Sequence, residues 1–252
     1  MDWFDCCHQG HRVIKREVKV KLKTMVDEEI KINCKIRHPN IVQLMAVAYD
    51  CHGINLVTEF INGFNMEDLI FDEETKRNTS LNLSNKLFIS MQCLQAVSYL
   101  HDLEKAIIHR DIKPANILID GQSYITKLCD LGVSRVKSYT FYSLTNLGQP
   151  GTPGYMAPEI LLEGKSATVK GDIWAIGISL IEFFAEEEAW GELNSYEEIK
   201  IMLQKGEPPR ALALTKIPEP MNNILRDCVR FNPDVRPNAL EVHKEICVNL
   251  QK

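Results

Sequence analysis

The residue types able to do chemistry gather in three stretches of the chain. His109-Arg110-Asp111-Ile112-Lys113-Pro114-Ala115-Asn116 sets a carboxylate, an ammonium and a carboxamide within one short loop. Fourteen residues beyond Asn116 stands Asp130-Leu131-Gly132, and further on comes Gly151-Thr152-Pro153-Gly154-Tyr155-Met156-Ala157-Pro158-Glu159. Carboxylates, amide oxygens and ammonium groups suit the positioning of a reactant, the uptake of a proton and the neutralisation of charge. The bland alternative is a polar loop that caps helix ends, and three such stretches in this order argue against it.

The first stretch resembles the catalytic loop of the eukaryotic protein kinase superfamily, H-R-D-x-K-x-x-N in its serine/threonine form. The second is similar to the D-F-G metal motif with leucine for phenylalanine, and the third to the substrate-docking loop ending in A-P-E. Leucine is still a large apolar side chain, so Leu131 changes packing shape and leaves Asp130 intact. The resemblance implies that Asp111 accepts the substrate hydroxyl's proton, that Asn116 and Asp130 hold Mg2+, and that Lys113 neutralises the transferring phosphoryl group. It also implies that Thr152 hydrogen-bonds Asp111 and Lys113. Lys113 and Thr152 together favour hydroxyl acceptors on serine and threonine.

In the same comparison, Asp172 looks like the buried aspartate that opens the central helix, and Arg236 like the partner of the A-P-E glutamate, Glu159. A carboxylate and a guanidinium buried together need each other. The segment after Leu131 carries Ser134, Ser138, Tyr139, Thr140, Tyr142, Ser143 and Thr145. Any of these hydroxyls could take a phosphate from an upstream kinase acting on 134–145, and Arg110 would clamp it. A polar surface loop is the competing reading.

A kinase small lobe needs a strand lysine for the ATP phosphates and a helix glutamate to orient it. Glu29, nine residues before His38 of the Arg-His-Pro-Asn-Ile-Val run, is the glutamate candidate. Val13-Ile14-Lys15 resembles the V-A-I-K strand and lies fourteen positions before Glu29, whereas Lys21 leaves only eight. Lys15 is therefore preferred, with Lys21 on a solvated strand face. Two departures stand out. No G-x-G-x-x-G precedes Lys15, so the small lobe reads as partial and the chain as amino-terminally truncated. Asn33, four residues after Glu29, occupies a place where the family usually has an apolar residue, and a buried asparagine there needs partners. The adenine of ATP is expected at the hinge, along the backbone of Glu59 and Ile61, with Thr58 guarding the inner pocket, Val13 above and Leu118 below. A purely structural core role fits Val13 and Leu118 equally well.

These residues must be held by two kinds of element. Arg12 to Val20, Ile41 to Tyr49 and Ile54 to Phe60 read as strands, with one helix at Met25 to Ile36 packed on them. From Leu83 the period changes to three or four, with an apolar stripe of Leu83, Leu87, Met91, Leu94, Val97 and Leu100. Asp172 to Phe184 is apolar nearly all round and belongs at a lobe's centre. Tyr196 to Gln204, Met221 to Arg230 and Ala239 to Leu250 also read as helices. The fold class is α+β, a bilobal protein-kinase-like fold with a partial β-rich small lobe and a complete α-helical large lobe. One kinase domain covers 1–252, with about 1–61 as small lobe and hinge and about 62–252 as the large lobe.

Composition excludes other classes. A net charge of −5 from 29 basic and 34 acidic residues, mixed along 252 residues, gives no basic stripe for nucleic acid. The eight scattered cysteines form no C-x-x-C pair and read as reduced intracellular thiols. The longest apolar run, Ile173 to Phe184, is too short to span a bilayer and is broken by Glu182. A cytoplasmic or nuclear protein without membrane insertion is expected. The function implied is ATP- and Mg2+-dependent phosphorylation of serine or threonine in protein substrates. A pseudokinase-like scaffold or binding module is the alternative, and a dual-specificity or tyrosine kinase a weaker third.

Overall fold

The computed structural model describes residues 11–16, 30–31, 33–50, 53–131, 152–191, 195–213 and 216–250. A three-stranded antiparallel sheet forms first from β1 (His11–Arg16), β2 (Leu44–Asp50) and β3 (Gly53–Glu59), in the order β1-β3-β2. Lys15 lies opposite Asn55 and Val13 opposite Val57 in that register. The expected continuation of the first strand to Val20 lies outside the described residues, as do Lys21 and Glu29. Of the expected helix, residues 30–31 and 33 are helical and a turn begins at 34, so it stops short of Ile36, which is buried beyond it.

A second small sheet, β4 (Gly63–Asn65), β5 (Ile117–Asp120) and β6 (Thr126–Leu128), pairs antiparallel in the order β4-β5-β6. Between its strands run α1 (Met66–Phe71), α2 (Glu73–Asn78) and α3 (Leu83–His101). Asn65 and Asp68 cap α1 reciprocally, and Asn82 with Asn85 does the same for α3. Most of the expected stripe on α3 is buried, but Leu83 at its start is 48% exposed.

The remaining helices are α4 (Pro158–Leu161), α5 (Val169–Ala185), α6 (Tyr196–Gln204), α7 (Met221–Cys228) and α8 (Ala239–Leu250). Thr168 caps α5, and every residue from Gly171 to Ala185 is buried, as its all-round apolarity requires. Neighbours lie so close that a Cβ on Gly177 would come within 2.8 Å of Cys228. Around α5 the large lobe packs one continuous apolar core that takes in α1, α3, β5 and α7. This is the bilobal α+β fold expected from the sequence. Among the described residues, no helix is long and apolar enough to cross a membrane.

Candidate active site

The loop between α3 and β5 is built downward from α5. The Asp172 carboxylate, 2% exposed in the first turn of α5, accepts the backbone N–H of His109 at 2.8 Å and that of Arg110 at 2.9 Å. His101, the last residue of α3, brings its Nε2 within 2.9 Å of the same carboxylate. Arg110 sits at φ 69°, a left-handed conformation that costs a bulky residue about 1–2 kcal/mol. Bonding of adjacent N–H groups to one buried carboxylate holds that strained turn in place.

His109 is fully buried, and burial lowers its pKa against the pull of Asp172, Asp111 and Asp130. Its neutral ring satisfies two neighbours in one tautomer: Nε2 donates to the Cys129 carbonyl at 3.0 Å, and Nδ1 accepts from the Asp111 N–H at 3.4 Å. The histidine thereby joins the loop of Asp111 to the strand end that carries Asp130. A second tie runs from the Cys129 N–H to the Asn116 carbonyl at 2.9 Å. Asp130 itself lies at φ 65°.

The polar groups of the first stretch converge. Asn116 donates its amide to the Asp111 carbonyl at 2.7 Å and to Asp111 Oδ2 at 3.1 Å. Lys113 donates to Thr152 Oγ1 at 2.9 Å, with Asp111 Oδ1 3.8 Å from the same ammonium. Asp111, Lys113, Asn116 and Thr152 are thus brought together although Thr152 lies 39 residues beyond Lys113. The Cys129 ties fix the residue immediately before Asp130 to the same loop.

The 152–156 loop is anchored to the same core. Tyr155 donates its hydroxyl to Glu182 at 2.7 Å, Glu182 also accepts the Ala189 N–H at 3.0 Å, and Trp190 donates to the Gly154 carbonyl at 2.9 Å. Burial raises the Glu182 carboxyl to about 7, against the opposing pull of these donors. A groove of about 480 Å³ opens here, lined by Thr152, Gly154, Tyr155, Glu67, Glu188 and Trp190 among others.

Thr58, Glu59 and Ile61, expected near adenine, are half-buried at the end of β3 and just after it. The Glu59 N–H is already taken by the Gln43 carbonyl at 3.0 Å, and its carboxylate accepts from Lys127 at 2.9 Å and from the Gln43 N–H at 2.8 Å. Leu118 is half-buried while its neighbours Ile117 and Ile119 are fully buried, so it turns away from the core they fill. Val13 and Lys15 lie on β1. Gly132, the hydroxyls from Ser134 to Thr145, and Gly151 lie outside the described residues.

Asn33, flagged as a polar residue in an apolar place, has its partner: Nδ2 donates to the Leu131 carbonyl at 2.9 Å. Sequence reasoning missed His101 and the Tyr155–Glu182 pair, because neither has a local pattern that points to its distant partner.

The model of the protein kinase domain matches residues 8–246. The chain belongs to the protein kinase family. It is similar to the probable serine/threonine-protein kinase SIS8 of Arabidopsis thaliana, at 30% identity over 85% of the chain and 20% of that protein. It is similar also to mitogen-activated protein kinase kinase kinase 2 of Arabidopsis thaliana (31%, 87% of the chain, 32% of that protein). The dual specificity protein kinase shkA of Dictyostelium discoideum is 30% identical over 93% of the chain and 44% of its own length. The chain therefore spans between about a fifth and under half of these relatives.

Proposed function

We propose that this chain is the catalytic domain of a serine/threonine protein kinase that transfers the γ-phosphate of ATP to protein hydroxyls. The observation that carries the reading is the Asp111–Lys113–Thr152 cluster. A carboxylate able to accept a proton lies beside an ammonium held in place by a hydroxyl, and the residue carrying that hydroxyl, Thr152, also lines the neighbouring groove. In this reading Asp111 takes the acceptor's proton and aligns its oxygen, while Lys113 faces the charge that develops on the transferring group. Thr152 fixes Lys113, and Asp172 fixes the backbone from which Asp111 projects.

The residues fit a hard divalent cation. Asn116 spends its amide hydrogens on Asp111, which leaves its Oδ1 without a donor among the described residues. Asp130, one residue beyond the Cys129 that bonds to Asn116, would supply the second oxygen ligand. Among the described residues no cluster of three His, Cys, Asp or Glu side chains could hold a metal alone. A two-oxygen set suits Mg2+, which completes its shell with water and phosphate oxygens. Bound there with ATP, Mg2+ would neutralise the phosphate charge. Leu118 offers an apolar face for adenine, with Thr58, Glu59, Ile61 and Val13 around it. Lys15 and Glu29 are the proposed phosphate-side pair, and the lobe division near residue 61 belongs to the same reading. Phosphorylation within 134–145 by an upstream kinase, clamped by Arg110, would regulate the site. The similarity to SIS8, named a probable serine/threonine-protein kinase, supports serine and threonine as acceptors, and action inside the cell belongs to the same reading.

The test is transfer from labelled Mg-ATP to a generic basic protein by the chain and by its Asp111→Asn and Asp130→Ala variants, followed by phosphoamino-acid analysis. Phosphoserine or phosphothreonine that disappears in both variants is the expected result. Transfer no greater than that of the variants sinks the enzyme reading in favour of a binding module, and phosphotyrosine moves the chain to the dual-specificity class.

A further inference from the structure

We propose that Asn33 is a positioning residue for the metal-binding aspartate: its amide, donated to the Leu131 carbonyl, ties the small-lobe helix to the backbone of Asp130. The inference rests on the kinase reading above. Asp130 occupies the left-handed region at φ 65°, which aspartate tolerates better than most residues but keeps only where its surroundings hold it. Its amino-terminal flank, Cys129, is fixed from the catalytic loop, by the Asn116 carbonyl and the His109 ring. Its carboxy-terminal flank, Leu131, is fixed through Asn33, which lies 98 residues away on the helix seen at residues 30–31 and 33.

The chemistry of this tie differs from that of an apolar contact at the same place. Apolar packing is non-directional and survives sliding of one surface over another. A hydrogen bond weakens steeply as it lengthens or bends. Leu131 as a residue is 7% exposed and packs in the core, so its carbonyl has little access to water once the amide leaves. A small displacement of the helix therefore strands that carbonyl and releases one flank of Asp130 from its strained conformation. Helix position is in this way converted into placement of the metal-binding carboxylate. The polar residue at position 33 serves as a latch.

Two variants test this in the full chain: Asn33→Leu, which replaces the amide with an apolar side chain, and Asn33→Asp, which keeps shape and exchanges the donor for a carboxylate. The first readout is amide hydrogen exchange over 126–131, compared with 117–120, without nucleotide. The second is the Mg2+ concentration that half-saturates ADP binding, followed by calorimetry. Loss of one such bond should speed exchange over 126–131 and raise the half-saturating Mg2+ concentration by about tenfold in both variants. Exchange over 117–120, and ADP affinity without metal, should stay within about twofold of the parent. Parent-like exchange over 126–131, or ADP binding weakened equally with and without Mg2+, overturns the proposal. A parent chain that binds no Mg-ADP defeats the kinase reading and with it the metal role, while the exchange rates still decide whether Asn33 holds Asp130.

Discussion

The Arg236 guanidinium grips the Glu159 carboxylate through two hydrogen bonds of 2.7 Å, across 77 residues of chain and with both side chains almost wholly out of water. The remaining N–H groups of Arg236 go to the carbonyls of Arg230, Lys170 and Phe231, so all of its donors are used. Its guanidinium carbon also lies 5.1 Å from the centre of the buried Trp174 ring. Such a pair adds little net stability against an apolar replacement, but removing one partner leaves a buried charge uncompensated.

Arg236→Met is accordingly expected to destabilise the chain by about 3–5 kcal/mol. For a domain of this size that lowers the melting temperature on the order of 10 °C. Thermal unfolding followed by circular dichroism checks it, and a variant melting within a degree or two of the parent refutes the assignment of Arg236 to the scaffold.

Thr152 is the acceptor that holds Lys113, so Thr152→Val removes a hydroxyl while preserving shape. On the kinase reading, a lysine misplaced by about 1 Å lowers kcat by ten- to a hundredfold. The KM for ATP should move less than about twofold, since the change touches positioning and leaves nucleotide binding alone. Thr152→Ser should restore most of the rate. A rise in the KM for ATP with kcat intact would place Thr152 in a different role.

Glu182 predicts a pH dependence of stability. Its folded pKa is raised by burial from 4.5 to about 7, so below about pH 4.5 it is protonated in both states and its contribution is fully present. As pH rises from there toward about 7, the unfolded chain releases a proton that the folded chain keeps, and stability falls by about 2–3 kcal/mol. Glu182→Gln retains an acceptor for Ala189 and a donor toward Tyr155 without titrating. Urea unfolding at pH 5 and pH 8 should show a smaller decline in the variant than in the parent by that amount. Equal declines in the two proteins would show that Glu182 does not hold the proton.

Much of this architecture is legible in the residues. Tyr196–Gln204 and Ala239–Leu250 run where their periodicity places them, because each presents an apolar face long enough to set its own limits. The short α1 and α2 are missed, since six residues show too little of a helical period. Their signal lies in the caps instead, in Asn65 with Asp68 and in Asp72 with Thr75. The grouping of Asp111, Lys113 and Asn116 is visible locally, and Thr152 joins them only through the family resemblance. His101 and Asn33 show where such reading stops. A histidine at a helix end says nothing of a carboxylate 71 residues later, and a backbone carbonyl such as that of Leu131 leaves no trace in residue type.

The bond from Asp172 back to His109 and Arg110 also has a consequence for how the protein is born. The amides it accepts lie 63 and 62 residues earlier in the chain. A ribosome adding about 5–20 residues per second therefore extrudes the 109–116 loop several seconds before the carboxylate that shapes it. Throughout that interval His109 and Arg110 have no Asp172 to bond to. The machinery at the centre of the molecule is in this sense assembled late, when α5 emerges and reaches back for a loop already made.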